Sequence, residues 1–269
     1  MAVKMVLVGC GNMGYAMLAG WISSGRLARD EVIVVEPAEA LRTRAGALGV
    51  GALSDSADLP PDAAPALVLF AVKPQVILDI VPAYKRFGGT ATYLSVAAGT
   101  PIAAFEKALG DVPVMRVMPN TPAAIGKGMM VVVSNDRVAS ETKTVVLDLL
   151  SASGAVTTID DESLMDAVTA VSGSGPAYVF HFIECLTEAG KQAGLPEDTA
   201  KLLAMQTVFG AASLAAESPD APGELRRQVT SPNGTTAAAL NVLMGDDRLK
   251  TLVVEAVEAA RKRSVELGK

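Results

Sequence analysis

The chain has 269 residues, half of them hydrophobic and only 19% charged, enough to bury a core and to make one large domain or two of ordinary size. So oily a composition predicts tight packing or a large subunit interface. The net charge of −6, with no basic run longer than Arg261-Lys262-Arg263, excludes the basic stripe that a nucleic-acid partner would want.

From residue 1 to about 160, short β-branched runs alternate with helical stretches or turns. The predicted strands are 3–8, 32–35, 66–72, 91–96, 112–117 and 129–133, with a last short one at 155–158. Continuous apolar strands spaced by helices predict a parallel sheet covered on both faces, a doubly wound Rossmann-type α/β domain over residues 1–162. The first strand stops at Gly9, too early for the core of a signal peptide. The longest apolar run, residues 64–72, contains Pro65 and is about half of the ~20 residues a membrane helix needs.

Lys4-Met5-Val6-Leu7-Val8 leads into Gly9-Cys10-Gly11-Asn12-Met13-Gly14, and a helix follows, predicted over residues 15–24. G-x-G-x-x-G in this context is a dinucleotide-binding signature. The first glycine permits the tight turn and the second lets a pyrophosphate approach the backbone. The third lets helix and strand pack closely, leaving free N–H groups at the helix start to hold the anion. Glu36 ends the second strand, about 20 residues past Gly14, where an acidic side chain accepts hydrogen bonds from the adenosine ribose and repels a 2′-phosphate. That favours NADH, but Arg42 and Arg44 follow and could supply charge for a 2′-phosphate, so NADH and NADPH both stay open.

Ala71-Val72-Lys73-Pro74 ends the third predicted strand and should line the cofactor crevice, since ligands of such sheets lie beyond the carboxyl ends of the strands. Lys73 reads equally as a surface charge and as a crevice cation. Met118-Pro119-Asn120-Thr121-Pro122 follows the fifth strand in the same way. It makes a rigid loop that puts Asn120 near the expected nicotinamide position.

After Asp161 the β signal vanishes. Residues 176–193, 196–216, 222–228, 235–244 and 248–267 read as helices, predicting an all-α second domain over 163–269. Residues 202–216 are apolar on nearly every face. A half of about 110 residues has trouble surrounding such a helix, which favours a subunit interface over a monomeric bundle. Two cysteines, Cys10 and Cys185, make neither a disulfide framework nor a zinc site. With Cys10 in a glycine loop, the chain reads as reduced and cytoplasmic. The one histidine, His181, lies in mid-helix one turn from Glu184 and reads as structural; it excludes multi-histidine metal sites and argues against Ser-His-Asp chemistry.

Two segments exceed ordinary helix punctuation. One is Val171-Ser172-Gly173-Ser174-Gly175-Pro176-Ala177-Tyr178, small residues ahead of a long helix. The other, Thr230-Ser231-Pro232-Asn233-Gly234-Thr235-Thr236, runs straight into a helix. Its hydroxyls and unpaired N–H groups suit a carboxylate, although alone it reads first as a hydroxyl-capped helix start.

Together with the glycine loop, Ala71–Pro74 and Met118–Pro122, in this order and spacing, these segments resemble the pyrroline-5-carboxylate reductase family over essentially the whole chain. Asn233 stands where many members have glycine, and asparagine also tolerates left-handed backbone. The resemblance implies reduction of the cyclic imine pyrroline-5-carboxylate to L-proline with NADPH or NADH. It also implies a helical domain that forms an interlocked homodimer, often gathered into larger rings. By motif match, Ser231, Gly234, Thr235 and Thr236 would bind the substrate carboxylate and ring nitrogen, Thr236 being the residue that bonds the nitrogen.

The chemistry read from the residues agrees. A carbonyl reductase must protonate a developing alkoxide, whereas a protonated imine already carries its proton and can be reduced by positioning alone. A hydroxyacid dehydrogenase of the β-hydroxyacid type would carry a lysine soon after the small-residue motif, and none occurs between Pro176 and Lys191. A dinucleotide sensor would have no use for the segment at 231–236.

Overall fold

The computed structural model describes residues 3–268. Strands β1 (Met5–Val8), β2 (Val32–Val35), β3 (Gly51–Leu53), β4 (Leu67–Phe70), β5 (Thr92–Ser95), β6 (Val114–Met118), β7 (Gly128–Ser134) and β8 (Gly154–Thr158) form one sheet. Their order is β3-β2-β1-β4-β5-β6-β7-β8. Every residue of β1, β4 and β5 is buried, as a sheet covered on both faces requires. Side chains alternate across a strand, so β1 feeds two cores. Met5 and Leu7 join α1 (Asn12–Ser23), α2 (Glu39–Gly46) and, across the sheet, α5 (Ser140–Ser151) through Trp21, Ala45 and Leu150. Val6 and Val8 join α3 (Pro74–Ile80) and α4 (Ile102–Leu109) through Ile77 and Phe105.

The expected doubly wound sheet is present, with two differences. Strand β7 runs antiparallel to β6, pairing Met115 with Ser134. The link between them holds only a 3-10 turn, Thr121–Ile125, too short for the dozen or more residues of a parallel crossover. The short edge strand β3, paired with β2, was not among the predicted strands.

The chain divides into two compact units. One runs to Ser174 and takes in the residues from Ala260 on; the other is Gly175–Ala259. The first also contains α6 (Met165–Val168), a π-turn at Thr169–Gly173 and the end of α11 (Arg248–Leu267). Ser264 Oγ donates to Asp166 Oδ1 at 2.6 Å, fastening that helix end.

The second unit holds α7 (Gly175–Gln192), α8 (Glu197–Glu217), α9 (Pro222–Gln228), α10 (Thr235–Met244) and the start of α11. Gly190 of α7 lets Ala200 of α8 approach so closely that a Cβ there would stand 3.2 Å from it. Only Ala200 and Ala204 of α8 are buried. Leu202, Met205, Phe209 and Leu214 are each more than half exposed, an apolar surface of the kind that marks an interaction site. Among the described residues no helix is long and apolar enough to cross a membrane, and no cluster of His, Cys, Asp or Glu could hold a metal ion.

Candidate active site

The three glycines after β1 are required for different reasons. Gly9 has φ +86°, and a Cβ there would stand 2.7 Å from Val72 Cγ1 and 2.9 Å from the Ala71 carbonyl oxygen. At Gly14 a Cβ would lie 2.6 Å from the Gly9 carbonyl oxygen, so this glycine lets α1 rest on the turn. At Gly11 a Cβ would meet no protein atom within 4 Å. Gly11 is also the N-cap of α1, with no side-chain cap. The first-turn N–H groups of Asn12, Met13 and Gly14 have no intrahelical acceptors by construction. Open space over a helix start with free donors fits the pyrophosphate of a dinucleotide.

This turn borders a crevice of about 430 Å³ lined by Gly9, Gly11, Glu36, Ala71, Val72 and Lys73, among others. Glu36 is only 6% exposed. Its Oε2 accepts the Cys10 N–H at 2.8 Å and its Oε1 the Ala38 N–H at 2.9 Å, tying the end of β2 to the glycine turn. Arg44 stacks over the Tyr15 ring at 4.2 Å and donates to the carbonyls of Cys10 and Gly11. Cys10 is fully buried, and burial chiefly pushes its thiol up to about 11, against the partly offsetting charge of Arg44.

Lys73 occupies the N-cap position of α3 without a side-chain capping bond, and Pro74 opens the helix, a position where proline is preferred. Asn120 is held on three sides: its Oδ1 accepts the Met129 N–H at 2.8 Å, and its Nδ2 donates to Ser172 O and Oγ at 3.3 and 3.4 Å. It thereby fastens the loop after β6 to the π-turn at Thr169–Gly173, where a Cβ on Gly173 would stand 2.4 Å from Met118 Cε. Such π-turns recur at functional sites.

The crevice also has walls that the sequence reading did not name: Leu41 of α2, Ser54, Asp55 and Ser56 after β3, and Val76, Ile80 and Tyr84 beyond β4. The signal for the first group was the three-residue strand ahead of it, too short to stand out. The loop after β5, containing Gly99 at φ +74°, leaves the sheet beside that after β4, since Val96 N–H bonds Phe70 O at 3.1 Å. Its run of small residues was the available signal.

The second segment lies wholly within the helical unit. Gly234 N–H bonds Ser231 O at 3.1 Å, closing a turn with Pro232 second and Asn233 third, the latter left-handed at φ +58°. A Cβ on Gly234 would stand 2.7 Å from Ser231 Oγ. Gly234 is the N-cap of α10, and no side chain caps that helix. Among the described residues no hydrogen bond engages the hydroxyls of Ser231, Thr235 or Thr236. The turn therefore presents hydroxyls and helix-start N–H groups that the fold does not consume.

His181, also in this unit, is exposed on α7, with Glu184 Oε2 2.9 Å from Nδ1 and Cys185 Sγ 3.6 Å from Nε2.

A glycine cradle on a doubly wound sheet, carried in one chain with a helix-start turn rich in free hydroxyls, defines a dinucleotide-dependent oxidoreductase. Residues 162–267 match the family described as pyrroline-5-carboxylate reductase dimerisation, and residues 4–99 that described as NADP oxidoreductase, coenzyme F420-dependent. A pyrroline-5-carboxylate reductase of Pseudomonas aeruginosa is 39% identical over 271 residues, covering 98% of this chain and 97% of its own. The pea (Pisum sativum) protein of that name is 38% identical over 97% of this chain and 94% of its own. The solved pyrroline-5-carboxylate reductase of Coxiella burnetii superposes with a TM-score of 0.92 at 33% identity, covering 100% of both chains. A Plasmodium falciparum pyrroline carboxylate reductase with NADP bound superposes at 0.86 and 30% identity, covering 99% of this chain and 98% of that one. This chain belongs to the pyrroline-5-carboxylate reductase family.

Proposed function

We propose that this chain reduces 1-pyrroline-5-carboxylate to L-proline, the last step of proline synthesis, with NADH or NADPH as the hydride source. Full-length similarity to enzymes named for this reaction supports it. The observation that carries it within the chain is the set of uncommitted hydroxyls over the start of α10. In this reading residues 1–162 bind the dinucleotide through Gly9, Cys10, Gly11, Asn12, Met13, Gly14, Glu36, Ala71, Val72, Lys73, Pro74 and Asn120. Residues 163–269 bind substrate and dimerise, and the exposed apolar side chains of α8 supply the interface. The homodimers gather into larger rings in the cytoplasm.

Ser231, Gly234, Thr235 and the N–H groups of the first turn of α10 hold the substrate carboxylate, using the partial positive charge of a helix start. The Thr236 hydroxyl bonds the ring nitrogen. A nicotinamide dinucleotide held on the glycine turn would supply hydride to the imine carbon. Asn233 and Pro232 keep the turn rigid, so the reacting carbon is presented in one orientation. The imine arrives protonated, and accepting hydride leaves a neutral amine, which takes a further proton from water.

The test is dinucleotide oxidation with pyrroline-5-carboxylate against a panel of keto acids, repeated on Thr236→Ala. Since Thr236 caps nothing, that variant should melt and bind dinucleotide as the parent does. Turnover should fall by one charge-assisted hydrogen bond, roughly 1.5–3 kcal/mol or 10- to 100-fold. Thr235→Ala should act mainly through KM. Parental turnover in Thr236→Ala would remove that residue from the catalytic contact.

A further inference from the structure

We infer that the adenosine-ribose end of the crevice selects NADH over NADPH. The inference deepens the dinucleotide reading above and rests on it. It comes from the direction of the hydrogen bonds at that end. There the walls are Glu36, Pro37 and Leu41 beyond β2 and Ser54, Asp55 and Ser56 after β3.

Four donors in this region are spent on carboxylates. Ala38 N–H points at Glu36 Oε1 (2.9 Å) and Ala57 N–H at Asp55 Oδ1 (2.8 Å). Ser54 Oγ donates to Asp58 Oδ2 (3.2 Å) and Ser56 Oγ to Asp55 Oδ1 (3.3 Å). Pro37 has no N–H to give. The carboxylates add acceptor capacity: an ionised carboxylate offers about four lone-pair sites, and Glu36 uses two of them on backbone N–H groups. A ribose 2′-hydroxyl donates, so it fits. A 2′-phosphate near neutral pH chiefly accepts, carries roughly −1.5 to −2 charge, and would meet the carboxylates of Glu36 and Asp55 in the crevice wall.

The cations that could reverse this are directed elsewhere. Arg42 Nη1 donates to the carbonyls of Glu36 and Pro37, both at 2.9 Å. Arg44 Nη2 donates to those of Cys10 and Gly11, and its Nε is enclosed by protein without a partner. Neither arginine lines the crevice, whereas Lys73 does. Lys73, however, stands at the end of β4, with β1 between it and β2, about 10 Å along the sheet at the usual strand spacing. That places it on the pyrophosphate side of the glycine turn. The two arginines of the sequence motif thus hold the backbone of the cradle rather than line the crevice.

Direct binding is measured first, by the fluorescence of NADH and NADPH on titration with the enzyme, and kcat/KM with pyrroline-5-carboxylate second. NADPH should bind at least tenfold more weakly, and kcat/KM should favour NADH at least tenfold, almost all of it in KM. Glu36→Gln keeps the shape and removes the charge, so the NADH/NADPH affinity ratio should narrow by threefold or more. Asp55→Asn, whose Oδ1 can still cap the turn at Ala57, should narrow it in the same direction and stands in if Glu36→Gln does not fold. Equal or tighter binding of NADPH by the parent overturns the inference, as does a ratio unmoved in the folded variants. Tight NADH binding without imine-dependent oxidation upholds the selection and removes the proposed reaction instead. A protein that binds neither dinucleotide overturns both.

Discussion

Gly11 and Gly14 separate the two uses of a glycine loop, and alanine at each should fail in opposite ways. A Cβ on Gly14 falls 2.6 Å from the Gly9 carbonyl oxygen and 3.1 Å from Ala71 Cβ, and real Cβ contacts essentially never close below 3.0 Å. The nearest obstacle is backbone, so no rotamer relieves it and α1 must lift from the turn. Overpacking of this kind costs about 1–3 kcal/mol, or roughly 2–12 °C in Tm for a chain of this size.

At Gly11 the backbone is extended (φ −61°, ψ −164°) and nothing lies within 4 Å of a new Cβ. Alanine there meets no clash, and the about 0.4–1 kcal/mol it gains by stiffening the unfolded chain is offset by its poorer fit at an N-cap. Its methyl group occupies the space through which a pyrophosphate would approach the helix start. Differential scanning fluorimetry with and without NADH reads both effects. Gly14→Ala should melt low in the absence of ligand. Gly11→Ala should melt near the parent temperature yet lose the ligand-induced rise, which for the parent at 100 times Kd is about 2.7 kcal/mol. Parental NADH affinity in Gly11→Ala would refute the placement of the pyrophosphate. A parental melting temperature in Gly14→Ala would refute the packing argument.

Alkaline stability follows from three groups that the first unit buries. Burial raises the Cys10 thiol from 9.0 to about 11 and the Tyr93 hydroxyl from 10.0 to about 12, and it raises Tyr84 as well. The folded state therefore prefers their protonated forms. Their stabilisation is complete below the unfolded values and is lost as pH climbs through the folded ones, by up to about 1.4 kcal/mol per pH unit for each group. Urea midpoints should be flat near pH 7–8 and fall between about pH 9 and 11; a flat profile to pH 11 contradicts this. Glu162 offers a second test. Its Oε1 accepts from Arg116 Nη1 at 3.0 Å and from the Ile102 N–H at 2.9 Å, and the Arg116 side chain is only 8% exposed. Glu162→Ala leaves that cation unpaired and should cost about 2–3 kcal/mol by urea unfolding, less than a fully buried pair because Glu162 itself is partly exposed. Arg137→Ala, at an exposed pair of bridges to Glu106 and Asp111, should cost under about 1 kcal/mol. Equal losses from the two variants would show that burial does not set the difference.

Which parts of this molecule were legible in its sequence follows from how local their causes are. The strands and helices around the glycine loop announce themselves because apolar runs and glycine spacing are short-range signals. Helices α9, α10 and α11 begin and end where the sequence pattern predicted. The antiparallel turn of β7 was not legible, because strand direction is decided by the length of a connection whose 3-10 turn leaves no mark in composition. Strand β3 is three residues long and exists through its pairing with β2. The Glu36 carboxylate was legible as a candidate by its position, but not its bond to Cys10, which depends on how a turn 26 residues away folds back. Arg42 and Arg44 were ambiguous for the same reason: charge is written in the sequence, and the carbonyl a guanidinium reaches is written only in three dimensions.

The groups this chain holds ready also say which reaction it can support. A reductase acting on a ketone needs an acid poised near neutrality beside the nicotinamide. In the first unit the buried titratable groups with resolved shifts, Cys10, Tyr84 and Tyr93, are all driven upward by burial, away from neutrality. The single imidazole, His181, spends its two nitrogens on Glu184 and Cys185 across an exposed helix face. What the fold provides instead is geometry: a turn closed by the Ser231–Gly234 bond, hydroxyls free of capping duty, and a glycine cradle open only at Gly11. In the proposed reaction the substrate brings its own positive charge and loses it on accepting hydride. For that substrate, holding the reacting atoms in line is the larger part of catalysis, and the hydride step needs no protein acid.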